Sequence, residues 1–122
     1  MNEHNHQKIV VSWFRTSYPG RIIYAIPNGG RRNEIEASRL KGEGVLAGMP
    51  DLHIPYGTGR YLSLYVEMKT TMGRMSVDQK KRRKELMEAG NDVFVGRGYV
   101  ATTQYIAQYM AEVEKWKSEN AG

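Results

Sequence analysis

The amino-acid sequence predicts an α/β fold, a β-sheet flanked by helices, and three observations lead there. Segments whose apolar residues recur at helical spacing alternate with segments of strand-like alternation, in the order helix, strand, helix, strand, strand, helix, strand, helix. The 122 residues suffice for one hydrophobic core and are too few for two, so one domain spanning residues 1–122 is expected. No internal repeat, linker or low-complexity segment interrupts the pattern.

The first helix is expected over residues 3–17, where Val10, Trp13 and Phe14 share helical spacing and no Gly or Pro intervenes before Pro19-Gly20. Glu3, Gln7, Val10 and Phe14 form one stripe along it, which predicts that the two polar residues continue the apolar face and meet partners inside the protein. Residues 21–26 read as a strand closed by Pro27-Asn28-Gly29-Gly30. That segment is first a tight turn needing positive φ, and second a backbone surface open to a phosphate beside Arg31 and Arg32. Asn33 is a good N-cap, with Glu36 completing a capping-box-like pair, for a second helix that runs to Lys41-Gly42-Glu43-Gly44.

A short strand covers residues 51–54, and Pro55-Tyr56-Gly57-Thr58-Gly59 reads as a hairpin-like turn. Residues 61–69 are the clearest strand, with Leu62, Leu64, Val66 and Met68 on one face and Tyr61, Ser63, Tyr65, Glu67 and Lys69 on the other. A carboxylate and an ammonium therefore lie side by side on one face of the sheet. Ser76-Val77-Asp78-Gln79 has the form of a capping box opening a helix that ends near Gly90, and residues 93–95 give a short final strand. A last helix is expected over residues 101–116. Its stripe of Tyr105, Ile106, Tyr109, Met110, Val113 and Trp116 reads first as core and second as part of a dimer face, and Trp13 and Trp116 are both expected in the core.

Composition narrows the function classes. There is no cysteine, so disulfides and thiolate metal sites are excluded and any metal is held by oxygen or imidazole, which favours hard cations. The longest apolar stretches fall short of the roughly 18 to 20 residues of a membrane-spanning helix, and the polar start Met1-Asn2-Glu3-His4-Asn5-His6 has no signal-peptide character, so a soluble, cytoplasmic protein is expected. Eighteen Lys and Arg against 13 Asp and Glu give a net charge of +5, and the run Lys80-Lys81-Arg82-Arg83-Lys84 concentrates it. Five successive helical residues sweep more than a full turn, so not all five can face open water; some are expected to meet phosphates of a polyanionic partner or acidic side chains. His4-Asn5-His6 spells HNH, but two histidines so spaced diverge on a helix, and that reading is rejected. His53, two residues past Asp51 on a strand, either supports the site or is an ordinary surface or packed histidine, the commoner case.

Gly48-Met49-Pro50-Asp51-Leu52, followed sixteen residues after Asp51 by Glu67-Met68-Lys69, resembles the PD-(D/E)xK signature of metal-dependent nucleases. Taken alone, each part has an ordinary explanation: an exposed charge pair for Glu67 and Lys69, a strand end for Asp51, a helix-start acid for Glu3. Further matches give specificity, namely Glu3-x-x-x-Gln7, Ile26-Pro27-Asn28-Gly29-Gly30-Arg31-Arg32, Glu36-Ala37-Ser38-Arg39-Leu40-Lys41-x-x-Gly44 and Ser76-x-x-Gln79. In that order they resemble the VRR-NUC (virus-type replication-repair nuclease) family, in its small stand-alone phage and bacterial form, over residues 3 to about 100.

The resemblance implies a restriction-endonuclease-like fold with a central mixed β-sheet, and a Mg²⁺-dependent endonuclease hydrolysing phosphodiester bonds in DNA, with Mn²⁺ expected to substitute. It implies branched DNA such as four-way junctions as substrate, a role in DNA repair and a homodimer. Carried over by residue, the catalytic set is Asp51, Glu67, Lys69, Glu3 and Gln79, with Gln7 in support; the metal ligands are Asp51, Glu67, the Met68 carbonyl and Glu3. The expected DNA-binding residues are Arg31, Arg32, Lys80, Lys81, Arg82, Arg83 and Lys84. Two carboxylates, a carbonyl and waters suit the octahedral oxygen coordination of Mg²⁺. Lys69 either orients or helps deprotonate the attacking water, or stabilises negative charge. The competing readings are a non-catalytic DNA-binding or assembly module that keeps the fold, and an enzyme acting on RNA or another phosphodiester.

Overall fold

The computed structural model describes residues 1–27 and 33–121. Eight elements follow one another: α1 (Glu3–Ser17), β1 (Tyr24–Ala25), α2 (Glu34–Gly42), β2 (Leu52–Ile54), β3 (Leu64–Lys69), α3 (Val77–Glu88), β4 (Asp92–Arg97) and α4 (Tyr99–Asn120). The strands form one mixed sheet in the order β1-β2-β3-β4, antiparallel except for the parallel pair β3 and β4, which α3 connects. The expected mixed α/β sheet with flanking helices is therefore present.

One face of the sheet makes the core. Leu52 and Ile54 of β2 and Leu64, Val66 and Met68 of β3 are buried there against Val10 and Phe14 of α1 and Ile106, Met110 and Val113 of α4. The stripe on α4 is thus core through Val113, as its first reading had it, and Arg21 ties the β1 approach to the same helix by an ion pair with Glu114. Asp51 and Lys69 lie on the opposite face, as the alternation of β3 requires.

Several expectations need correction. Leu62 precedes β3 and is 69% exposed; its N–H pairs with Gly90 O, which holds it at the end of α3 and off the core face. Trp116 is 42% exposed and packs against the β2–β3 connection, where Gly59 stands at φ +88° and a Cβ would collide with the indole. Trp13 is half-buried against the core. Glu3 is exposed, since α1 begins at the open end of the sheet and only Val10 and Phe14 of its stripe reach inside. The first strand is two residues long and not six, because Tyr24 and Ala25 alone keep a ladder register with β2. The turn at Pro27-Asn28-Gly29-Gly30 and the pair Arg31 and Arg32 lie in, or run into, the segment outside the described residues.

His6 is not part of any histidine pair. Its Nδ1 accepts the N–H of Tyr99 at 2.9 Å and so caps the first turn of α4, whose own N-cap residue is Gly98 and has no side chain to offer.

Candidate metal centre

Register builds the site. Leu52 of β2 faces Val66 of β3, and the Asp51 N–H continues that ladder to Val66 O at 3.0 Å, so Asp51 arrives beside Glu67 on the face away from the core. The Met68 N–H donates to Asp51 Oδ2 at 2.7 Å, which fixes the aspartate from the backbone of the strand that carries Glu67. The adjoining chain is shaped for close approach. Gly48 stands at φ +81°, and a Cβ on it would lie 2.5 Å from the backbone of Asp78 at the start of α3.

Glu67 is 2% exposed. Its Oε1 accepts from Gln79 Nε2 at 2.6 Å and lies 3.8 Å from Lys69 Nζ, while Oε2 is buried and has no hydrogen-bond partner among the described residues. Gln79 performs two tasks. Its Oε1 accepts the Ser76 N–H at 2.9 Å while the Ser76 hydroxyl accepts the Gln79 N–H, the reciprocal capping box of α3. The same bond commits the amide oxygen, so the Nε2 hydrogens must point to Glu67.

Burial pushes the Glu67 carboxyl up to about 8, with the Asp51 charge next in importance; Lys69 opposes the rise and Glu3 adds to it. A carboxyl held at such a value, with one oxygen unanswered, is short of positive charge, and Lys69 does not supply enough. The donor set fits a hard divalent cation: two carboxylates, the Met68 carbonyl and water. Among the described residues, no group of three or more His, Cys, Asp or Glu side chains is placed to hold a metal ion, so protein carboxylates alone do not complete a coordination shell there.

These residues line a cleft of ≈ 490 Å³ that also takes in Glu3, Lys41, Ser76, Asp78 and Gln79. Asp51, Glu67, Lys69, Gln79 and Glu3 are therefore brought together, with Glu3 acting at longer range than Asp51. Gln7 is not; it lines a groove on the outer side of α1 with His4, Lys8 and Arg15. Gly48 entered the sequence reading only as the first residue of the Gly48-Met49-Pro50-Asp51-Leu52 motif, and its close approach to α3 was not foreseen.

Of the basic run on α3, Lys80, Lys81, Arg83 and Lys84 are exposed. Arg82 turns inward, giving Nε to Ala47 O at 2.9 Å and pairing with Glu85 at 2.5 Å. Its guanidinium is thus spent on the scaffold, which removes it from the expected DNA-facing set. His53 stacks on Tyr65 at 4.1 Å between ring centres, and burial lowers its pKa, so it is a packed and neutral ring on the face that carries Glu67.

A family model described as the VRR-NUC domain matches residues 1–99. A solved structure described as a "VRR_NUC domain protein" is 29% identical, with 92% of this chain and 90% of that chain covered and a TM-score of 0.78. No curated protein matches the chain. The likeness in fold agrees with the restriction-endonuclease-like sheet expected from the motifs. No helix among the described residues is long and apolar enough to cross a membrane.

Proposed function

The chain belongs to the VRR-NUC domain family, and from that premise we propose that it is a divalent-metal-dependent endodeoxyribonuclease, selective for branched DNA and working as a homodimer. The observation that carries the metal-dependent reading is Glu67, a buried carboxylate beside Asp51 whose second oxygen has no hydrogen-bond partner among the described residues.

Asp51, Glu67 and the Met68 carbonyl would hold the cation, with Glu3 at the rim. When bound, Mg²⁺, or Mn²⁺ in its place, supplies Lewis-acid polarisation of the phosphoryl group and a lowered pKa for water. Gln79 keeps Glu67 in one rotamer through its hydrogen bond, so the site is organised before substrate arrives. Lys69 is 12% exposed, and its ammonium, steered by Glu67, faces the cleft where negative charge develops on the phosphoryl oxygens. Branched DNA comes from the resemblance to the family; if the substrate is a junction, a dimer would supply two sites and the surface that one chain of 122 residues has little of.

The test is incubation with four-way-junction, linear duplex and single-stranded DNA, with and without Mg²⁺ or Mn²⁺. Metal-dependent cleavage that prefers the junction is the expected result. Binding without cleavage in every metal would replace this reading by a DNA-binding module that keeps the fold.

The α3 cations make a separate expectation. Changing Lys80, Lys81, Arg83 and Lys84 together to Gln, with Arg82 retained, should weaken DNA binding and flatten its salt dependence by about 0.9 in log-log slope for each duplex phosphate no longer neutralised. Cleavage at saturating DNA and low salt should recover. Titrations of binding against salt check this, and an unchanged slope would move the electrostatic footprint away from α3.

A further inference from the structure

Beside the metal centre lies a row of three rings that the proposed chemistry does not use. The register places Tyr24 of β1 opposite His53 of β2, and His53 opposite Tyr65 of β3, so all three stand on the face that carries Asp51 and Glu67. Asp51 and His53 are two residues apart, roughly 7 Å along a strand, the scale of one nucleotide step in an unstacked chain. His53 and Tyr65 are stacked, with planes 19° apart, and Tyr24 meets His53 edge-on at 5.3 Å.

Tyr24 is 46% exposed on an edge strand, yet its hydroxyl is anchored through a chain that reaches α3. Asn91 Nδ2 donates to Leu86 O at 3.1 Å, so its Oδ1 must be the atom that accepts from the Ser63 hydroxyl at 2.6 Å. With its one proton committed, Ser63 Oγ accepts from His53 Nε2 at 2.8 Å. His53 Nδ1 is then bare and accepts the Tyr24 O–H at 2.6 Å. Every donor in the chain has a single direction. An exposed tyrosine at the surface does not need such bracing for stability, whereas a ring that must receive a flat partner gains from a fixed orientation.

We propose that Tyr24, braced by His53 and Tyr65, is the stacking platform for an unpaired nucleobase next to the scissile phosphate. The substrate class is then DNA with an unpaired nucleotide at the cleavage position, supplied by a branch point or by a single-stranded end. Tyr24 and His53 are positioning residues, and the row is neutral, so it adds to the grip of a base and not to that of the phosphates. The inference rests on the nuclease reading for the place of the phosphate.

The experiment measures binding, not cutting, so that its outcome is independent of turnover. In an Asp51→Asn background, fluorescence anisotropy gives Kd for a paired duplex, a duplex with one unpaired nucleotide at a branch, and a single strand, each unpaired nucleotide also being replaced by an abasic analogue. Tyr24→Ala should weaken binding to the unpaired DNAs by about 5- to 100-fold, the range of base–aromatic stacking, and leave the paired duplex unchanged. The abasic analogue should reproduce that loss in the parent protein and add nothing to it in Tyr24→Ala. Tyr24→Phe, which keeps the ring and drops the bond to His53, should lose less. A loss confined to the branched DNA assigns the branch as the source, and an equal loss on the single strand assigns an end.

Equal weakening on the paired duplex, or losses from Tyr24→Ala and the abasic site that multiply, would overturn the platform. Failure of the parent protein to cut any DNA would sink the nuclease reading instead, and is read in the separate cleavage assay.

Discussion

Asp51→Asn abolishes cleavage, by at least about 10³-fold, while the fold and DNA binding persist; this is the expected result with the clearest geometric basis. The asparagine carbonyl can still accept the Met68 N–H that Asp51 Oδ2 accepts at 2.7 Å, so the local backbone tie survives. What disappears is an anionic ligand, and metal polarisation of phosphate and water contributes several kcal/mol to such reactions. The same change removes the second-largest influence raising the Glu67 pKa, so Glu67 should ionise at lower pH in the variant. Single-turnover cleavage in Mg²⁺, with circular dichroism and anisotropy as controls, checks all three parts. Turnover near that of the parent protein would remove Asp51 from the metal site.

How much of this was legible in the sequence depends on how local each feature is. The two faces of β3 could be read because strand alternation is a property of consecutive residues, and Leu64, Val66 and Met68 are buried as that pattern requires. Ser76-x-x-Gln79 could be read as a cap for the same reason, but the second task of Gln79, its bond to Glu67, depends on where α3 docks. Counting cations around a helical turn showed that some of the α3 run must turn inward; only the position of Ala47 O and Glu85 decides that it is Arg82. Glu3 was misjudged because a stripe on a helix is read as if the helix were covered along its whole length, whereas α1 starts beyond the core. The ring row was invisible, since Tyr24, His53 and Tyr65 meet only through the register of three strands. The bond from His6 to the start of α4 spans 93 residues and leaves no pattern in the sequence.

Glu67→Gln should stop cleavage and, at the same time, make the metal-free protein more stable at alkaline pH. The Glu67 carboxyl is raised from 4.5 to about 8 by burial and by Asp51, so below about 8 the folded protein holds a proton that the unfolded chain releases above about 4.5. Stability rises with pH only where the unfolded state binds more protons; here the folded state binds more, so stability falls as pH climbs from about 4.5 to about 8 and levels off beyond. The full loss is on the order of 5 kcal/mol, a large share of the stability of a domain this small. Divalent cation should reverse the trend, because it binds the ionised carboxylate and displaces the proton, so its affinity should grow up to about pH 8 and then flatten. A neutral amide at position 67 keeps an acceptor for Gln79 Nε2 but has no charge to desolvate. Urea unfolding of the metal-free parent and variant at pH 5 and pH 8 measures the effect. The parent should lose stability between the two values and the variant should not; a parent without that slope, or a variant that still cuts in Mg²⁺, would show that Glu67 is not the destabilised ligand on which the metal-dependent reading stands.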